Sequence, residues 1–134
     1  MDSKIVFRVN GVIQSDLLDA LFTASWPSHS ETNWSNILSR SLCYICAFSD
    51  DNLIGFVNVA WDGGVHAFLL DTTVHPEFRR QGIGIDLIKR ATAYTKNNSI
   101  EWLHVDFEPQ YRDFYHRCGF KPTAAGLIKL TEFL

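Results

Sequence analysis

Apolar residues recur along this chain with two periods, and the switches between them separate strands from helices. Ile5, Phe7 and Val9 alternate with other residues between Lys4 and Val9, the two-residue period of a short strand. Leu17, Leu18, Leu21 and Phe22 then fall at helical spacing behind Ser15-Asp16, a pair suited to capping a helix. Ser25 to Ser30 reads as loop, and Ser30-Glu31-Thr32-Asn33 as the start of a second short helix ending near Arg40. Two strands follow, Leu42 to Phe48 and Leu53 to Trp61. The turn between them, Ser49-Asp50-Asp51-Asn52, is made of residues that bond to their own backbone. Asp62-Gly63-Gly64 makes a second tight turn. The nearly continuous apolar run from Ala67 to Leu70 and on to Val74 then predicts a central strand buried on both faces.

Pro76 stops that strand. Gly82 to Lys96 reads as a helix, with Gly84, Leu87, Ile88, Ala91 and Tyr94 on one face and Asp86, Lys89, Arg90 and Lys96 on the other. Asp86 and Arg90 have the favourable i,i+4 polarity. Asn97-Asn98 ends the helix. Ile100 to Phe107 predicts another strand, Pro109 opens a short helix with Gly119 past its end, and Leu127 to Leu130 predicts a closing strand. Hairpins come first and strand–helix alternation follows. The expected fold is α/β: a mixed sheet with helices on its faces, in one domain spanning 1–134.

Composition narrows the function. A chain of 134 residues with 46% hydrophobic content suits one packed core. A formal net charge of −3 gives no global attraction to nucleic acid or anionic membrane. No apolar run reaches the ~20 residues of a membrane span, and Met1-Asp2-Ser3-Lys4 does not open a secretion signal. The cytoplasm is therefore the expected compartment. Cys43, Cys46 and Cys118 do not form a disulfide framework. Cys43 and Cys46 spell C-x-x-C, but three residues apart on a strand they point to opposite faces, so buried structural thiols are expected. His29, His66, His75, His104 and His116 have no metal-ligand spacing, so no metal is expected.

The chemistry concentrates in Val74-His75-Pro76-Glu77-Phe78-Arg79-Arg80-Gln81-Gly82-Ile83-Gly84, which joins a strand to the amphipathic helix. The first turn of a helix carries unpaired N–H groups and partial positive charge, and a diphosphate accepts both. Gly82 and Gly84 remove side chains that would hold a phosphate away, and Arg79 and Arg80 add charge. The alternative is a glycine-softened turn with solvated arginines. A P-loop fits poorly because the Gly-Lys-Ser/Thr ending is missing. A dinucleotide fold is disfavoured because the first glycine of its pattern is absent and the strand follows hairpins.

Arg79-x-x-Gly82-x-Gly84 with its preceding Val74–Phe78 resembles the central acetyl-coenzyme A motif of the GNAT superfamily. Phe114-Tyr115-His116-Arg117-Cys118-Gly119-Phe120 resembles that family's closing motif, at its usual separation, and the element order from Lys4 to Leu130 is similar to its mostly antiparallel sheet. The resemblance implies acetyl transfer from acetyl-coenzyme A to a primary amine by direct attack. The amine belongs to a small molecule or peptide, and a homodimer is compatible with the family. It implies that backbone amides from Gln81 to Gly84 hold the pyrophosphate. Thr72, Thr73 and Val74 would pair with the pantetheine arm beside a strand bulge. An amide near Val74 would stabilise the oxyanion.

Tyr115 matches the family's general acid; its alternative is a core aromatic sharing a helical face with Tyr111, Phe114 and Cys118. Where the family commonly has an asparagine that contacts pantetheine, this chain has Glu108, which accepts but does not donate when ionised, and which also suits a helix cap. A base for the protonated amine is sought among Asp71, His66, Glu108 and Asp106, with Asp71 first because its strand position would desolvate it; a water chain is an equal alternative. Trp26 and Trp34 fall where the family builds an acceptor pocket, against the alternative of ordinary packing. Two other readings stay open: a non-catalytic acetyl-coenzyme A sensor, and a phosphate-binding fold with another ligand.

Overall fold

A computed structural model describes residues 4–133. The reading of Met1, Asp2 and Ser3 as carrying no leader lies outside these residues. The sheet has five strands in sequence order: β1 (Ile5–Val9), β2 (Ser41–Ser49), β3 (Asn52–Trp61), β4 (His66–Val74) and β5 (Trp102–His104). The first four pair antiparallel, and β5 lies parallel to β4. Ser49 faces Asn52 across the two-residue turn Asp50-Asp51, where Asp50 adopts φ 53°, a conformation aspartate tolerates better than most residues.

Helices cover both faces. On one lies α3 (Ile83–Asn97), which buries Ile83, Leu87, Ile88 and Ala91 against Ile45, Val57, Val59, Ala67 and Leu69. On the other lie α1 (Ser15–Ser25) and α2 (Trp34–Leu38), where Leu18, Leu21, Phe22 and Trp34 pack on Cys46, Phe48 and Phe56. The alternation of β2 sends Cys43 into the first cluster and Cys46 into the second. Burial pushes these thiols up to about 11 and about 12, so they remain protonated packing groups. The glycine that fits α3 to the sheet is Gly55. A Cβ there would stand 3.1 Å from Leu87, 3.2 Å from Ala47 and 3.3 Å from Ile83. Gly55→Ala is expected to cost about 1–3 kcal/mol by overpacking, read from the urea unfolding midpoint; an unchanged midpoint would mean that α3 moves freely off the sheet.

Several local expectations change. Ser15 is the first residue of α1 and Gln14 occupies the cap position without a side-chain bond, while Asp16 accepts from the Leu17 amide at 3.0 Å. Asn33 caps α2 by accepting from Asn36 N–H at 3.0 Å. Arg90 lies over the Phe7 ring at 4.1 Å instead of pairing with Asp86. Up to Leu70, β4 is buried on one face only: Ala67 and Leu69 are core, whereas Phe68 and Leu70 are exposed. The strand expected over Ile100 to Phe107 is regular only from Trp102 to His104. Leu127 to Leu130 forms no strand; Leu130–Glu132 is a 3-10 turn, and Leu127 is 77% exposed. An apolar run becomes a strand only where a partner edge satisfies its backbone, and no strand pairs with this one.

Candidate functional site

Pairing between β4 and β5 stops at Phe68 opposite His104, while β4 runs on to Val74. The sheet therefore opens between the end of β4 and residues 105–108. Register slips there too. Phe56 pairs with Thr73 and Asn58 with Leu70, so Asp71 and Thr72 together oppose Val57 in a bulge. Asp71 takes φ 60°, a left-handed conformation that Asp and Asn accept most readily among residues with a Cβ. Thr73 stitches the bulge: its hydroxyl donates to the Asp71 carbonyl at 3.0 Å and accepts from the Trp26 indole N–H at 3.0 Å. Trp26, at the end of α1, is thereby fixed against β4 from the opposite face.

A groove of about 740 Å³ runs along this opening. Its walls are Trp26 and neighbours from the α1 end, Thr72, Thr73 and Val74 from the bulge, Arg79, Arg80, Gly82, Ile83 and Gly84 from the turn and the α3 start, and Tyr111, Phe114 and Tyr115 from the last helical segment. Arg80 has φ 64° and Gly82 φ 79°, and the alternation of left-handed residues tips the chain into a concavity at the head of α3. The two glycines differ in role. Nothing lies within 4 Å of a Cβ on Gly82, so its contribution is the left-handed turn. A Cβ on Gly84 would meet Phe114 at 3.3 Å, so Gly84 lets the α3 start approach α4 (Arg112–Arg117). Arg79 Nε donates to the Val74 carbonyl at 3.2 Å, tying the turn back to β4. Gln81 is exposed and is not on the groove wall.

Tyr115 is set by a ring cage. Phe107 stacks on it at 4.7 Å and 17°, and Phe114 and Phe120 meet it edge-on at 88° and 78°. Burial lifts its phenol above the ordinary tyrosine value, the neighbouring Thr72 side chain pulls the other way, and nearby Asp106 adds to the rise. The α4 end is closed by Gly119 at φ 102°, with its N–H on the His116 carbonyl at 3.0 Å and that of Phe120 on the Tyr115 carbonyl at 3.1 Å. Asp71 is exposed and adjoins the groove through Thr72 without lining it, yet desolvation by the protein around it pushes its carboxyl above the usual range. Exposure describes the rim of the side chain and desolvation the density of protein about it; here the second governs the direction.

Other expected residues lie elsewhere. Glu108 does not line the groove, does not cap with its side chain, and accepts from Gln110 Nε2 at 3.0 Å. Trp34 is 3% exposed, a core residue whose indole donates to Asp19 at 3.0 Å. His66 and His104 contact each other at 2.8 Å on the other part of the sheet. The sequence pattern places Phe107 only at the end of a strand, whereas the structure stacks it on Tyr115. Among the described residues no group of three or more His, Cys, Asp or Glu is placed to hold a metal ion, and no helix is long and apolar enough to cross a membrane.

Solved structures repeat this architecture. A GNAT family acetyltransferase from Streptococcus pneumoniae superposes with TM-score 0.80 at 24% identity, over 93% of this chain and 96% of that one. The aminoglycoside N-acetyltransferase AAC(6')-Iy in complex with CoA does so with TM-score 0.78 at 19% identity, over 96% and 95%. A GNAT family N-acetyltransferase (YhbS) from Escherichia coli in complex with CoA gives 0.75 at 20%, over 89% and 69%. Among curated proteins, the uncharacterized N-acetyltransferase ycf52 of Pyropia yezoensis is 28% identical over 54% of this chain and 41% of its own length. Mycothiol acetyltransferase of Mycolicibacterium vanbaalenii is 33% identical over 49% and 22%. The chain thus matches less than half the length of these curated relatives. Residues 13–120, which include the bulge, the turn, α3 and Tyr115, match the Acetyltransferase (GNAT) family, and the chain belongs to it.

Proposed function

We propose that the protein transfers the acetyl group of acetyl-coenzyme A directly to a primary amine. The observation that carries this reading is one groove lined by the α3 start, Thr72 of the β4 bulge and Tyr115. In this reading the amides at the head of α3 and the Arg80 side chain hold the pyrophosphate. Thr72 to Val74 pair with the pantetheine arm, as an added strand would. The amine nitrogen attacks the thioester carbon, an amide near Val74 stabilises the oxyanion, and the C–S bond then breaks. Tyr115 gives its proton to the departing thiolate, and Asp71, directly or through water, takes the proton from the amine. Glu108 has no assigned part in this scheme.

Acetyl-coenzyme A at about 100 times its dissociation constant should stabilise the fold by about 2.7 kcal/mol, seen as a rise in melting temperature. With a primary amine present, free thiol should appear. Stabilisation without thiol from any amine would favour a sensor, and no stabilisation would remove the coenzyme from the reading.

A further inference from the structure

Ala67 and Leu69 face α3, so His66, Phe68 and Leu70 project from the opposite face of β4. The parallel register, His66 to Trp102 and Phe68 to His104, puts Trp102 and His104 on that same face. Phe68 and His104 stack at 4.7 Å and 21°. The α1–α2 pair covers β2 and β3 but leaves this strip bare: Phe68 is 39% exposed, Leu70 38% and Trp102 57%. From His66 to Leu70 it spans about 13 Å, at about 3.3 Å per residue. Its end at Leu70 abuts the Asp71–Thr72 bulge and the opening in the sheet, with Tyr115 against Thr72 on the far side.

The two chain stretches that carry the strip hold acidic residues and no basic ones. Residues 62–74 carry Asp62 and Asp71, residues 100–108 carry Glu101, Asp106 and Glu108, and neither stretch contains Lys or Arg. Asp71 lies in the bulge itself, and Asp106 is near enough to Tyr115 to act on its phenol. An ammonium group is favoured there. The floor behind it is made of Phe68, the His104 ring stacked on it, and Leu70, and it gains by burying apolar area.

We propose that the acceptor is a small primary amine carried on a flat apolar body, an aryl- or alkyl-amine, with its body on Phe68, Leu70 and His104 and its nitrogen at the Asp71 end of the strip. This rests on the acetyl-transfer reading. The strip ends at Leu70, two residues before Thr72 on the wall of the transfer groove, which is why an acceptor rather than a macromolecule is its occupant.

The test compares 2-phenylethylamine, hexylamine, spermidine and kanamycin as acceptors by thiol release, for the wild-type protein and for Phe68→Ser and Leu70→Ser. Acceptor binding to the CoA-loaded protein is followed by NMR, which needs no turnover, and oligomeric state by light scattering. The expected result is that the first two amines are preferred, and that each variant weakens 2-phenylethylamine by about tenfold, the loss of one apolar contact surface, with acetyl-coenzyme A affinity unchanged. Preference for spermidine or kanamycin, or variants without effect on 2-phenylethylamine, would overturn the acceptor assignment and leave acetyl transfer standing. Variants that convert a dimer to a monomer without changing acceptor binding would also overturn it, because the strip would then be an interface between copies. Failure of acetyl-coenzyme A itself to bind would remove both readings together.

Discussion

Replacing Tyr115 with Phe is expected to lower kcat for amine acetylation by about 10²–10⁴-fold, the usual contribution of a positioned general acid, with little change in acetyl-coenzyme A affinity. The substitution removes one oxygen and keeps the ring. Phe107, Phe114 and Phe120 hold that ring by its faces and edges, and none of these contacts needs the hydroxyl. The fold should therefore survive, and the experiment separates a catalytic hydroxyl from a core aromatic. Burial lifts the phenol above its ordinary value, so Tyr115 remains protonated, and able to donate, throughout the neutral range. Its recipient is a thiolate, whose own pKa is about 8.5. A thiolate needs little help to leave once the solution is more alkaline than that. The deficit of Tyr115→Phe should consequently shrink as pH rises past this value. An equal kcat for both proteins at neutral pH would remove Tyr115 from the mechanism.

The readable parts of this protein are those where local pattern and tertiary role coincide. α3 is amphipathic in the sequence and packs by that face, and the turn before it carries its glycines and arginines where the groove needs a concavity. Elsewhere a residue type has two uses and only packing chooses between them. Phe68 and Leu70 look like core because an exposed apolar side chain and a buried one are written with the same residue types. Trp26 and Trp34 are equivalent as letters, yet one reaches Thr73 at the groove and the other Asp19 inside the α1–α2 cluster. Gly84 suggests room for a phosphate but makes room for Phe114, a contact made across thirty positions of chain. Leu127 to Leu130 has the pattern of a strand without a partner edge, which no local signal records. The bulge at Asp71 is hidden for a related reason: it is a mismatch of two strands, and neither strand alone contains it.

That bulge makes Asp71→Asn the sharpest test of the proton acceptor. An Ala substitution would confound two effects, because alanine at φ 60° adds backbone strain of roughly 1–2 kcal/mol to the loss of the carboxylate. Asparagine accepts the left-handed conformation about as well as aspartate and removes only the charge. If Asp71 takes the amine proton, activity should fall by about 10²-fold or more, and the acid limb of the wild-type pH profile should disappear with it. That limb lies above the usual carboxylate range, since desolvation raises the pKa and the base is available only above it. Stability should move the other way. An acid whose pKa is raised by folding favours the native state fully below its unfolded pKa, and that contribution is lost as pH rises through the folded value. Near neutrality the ionised Asp71 therefore works against folding, and Asp71→Asn should melt at an equal or higher temperature than the wild type. A variant that is less active and no less stable identifies a carboxylate kept at the bulge for chemistry. A variant with full activity and an unchanged acid limb hands the proton to a water chain instead.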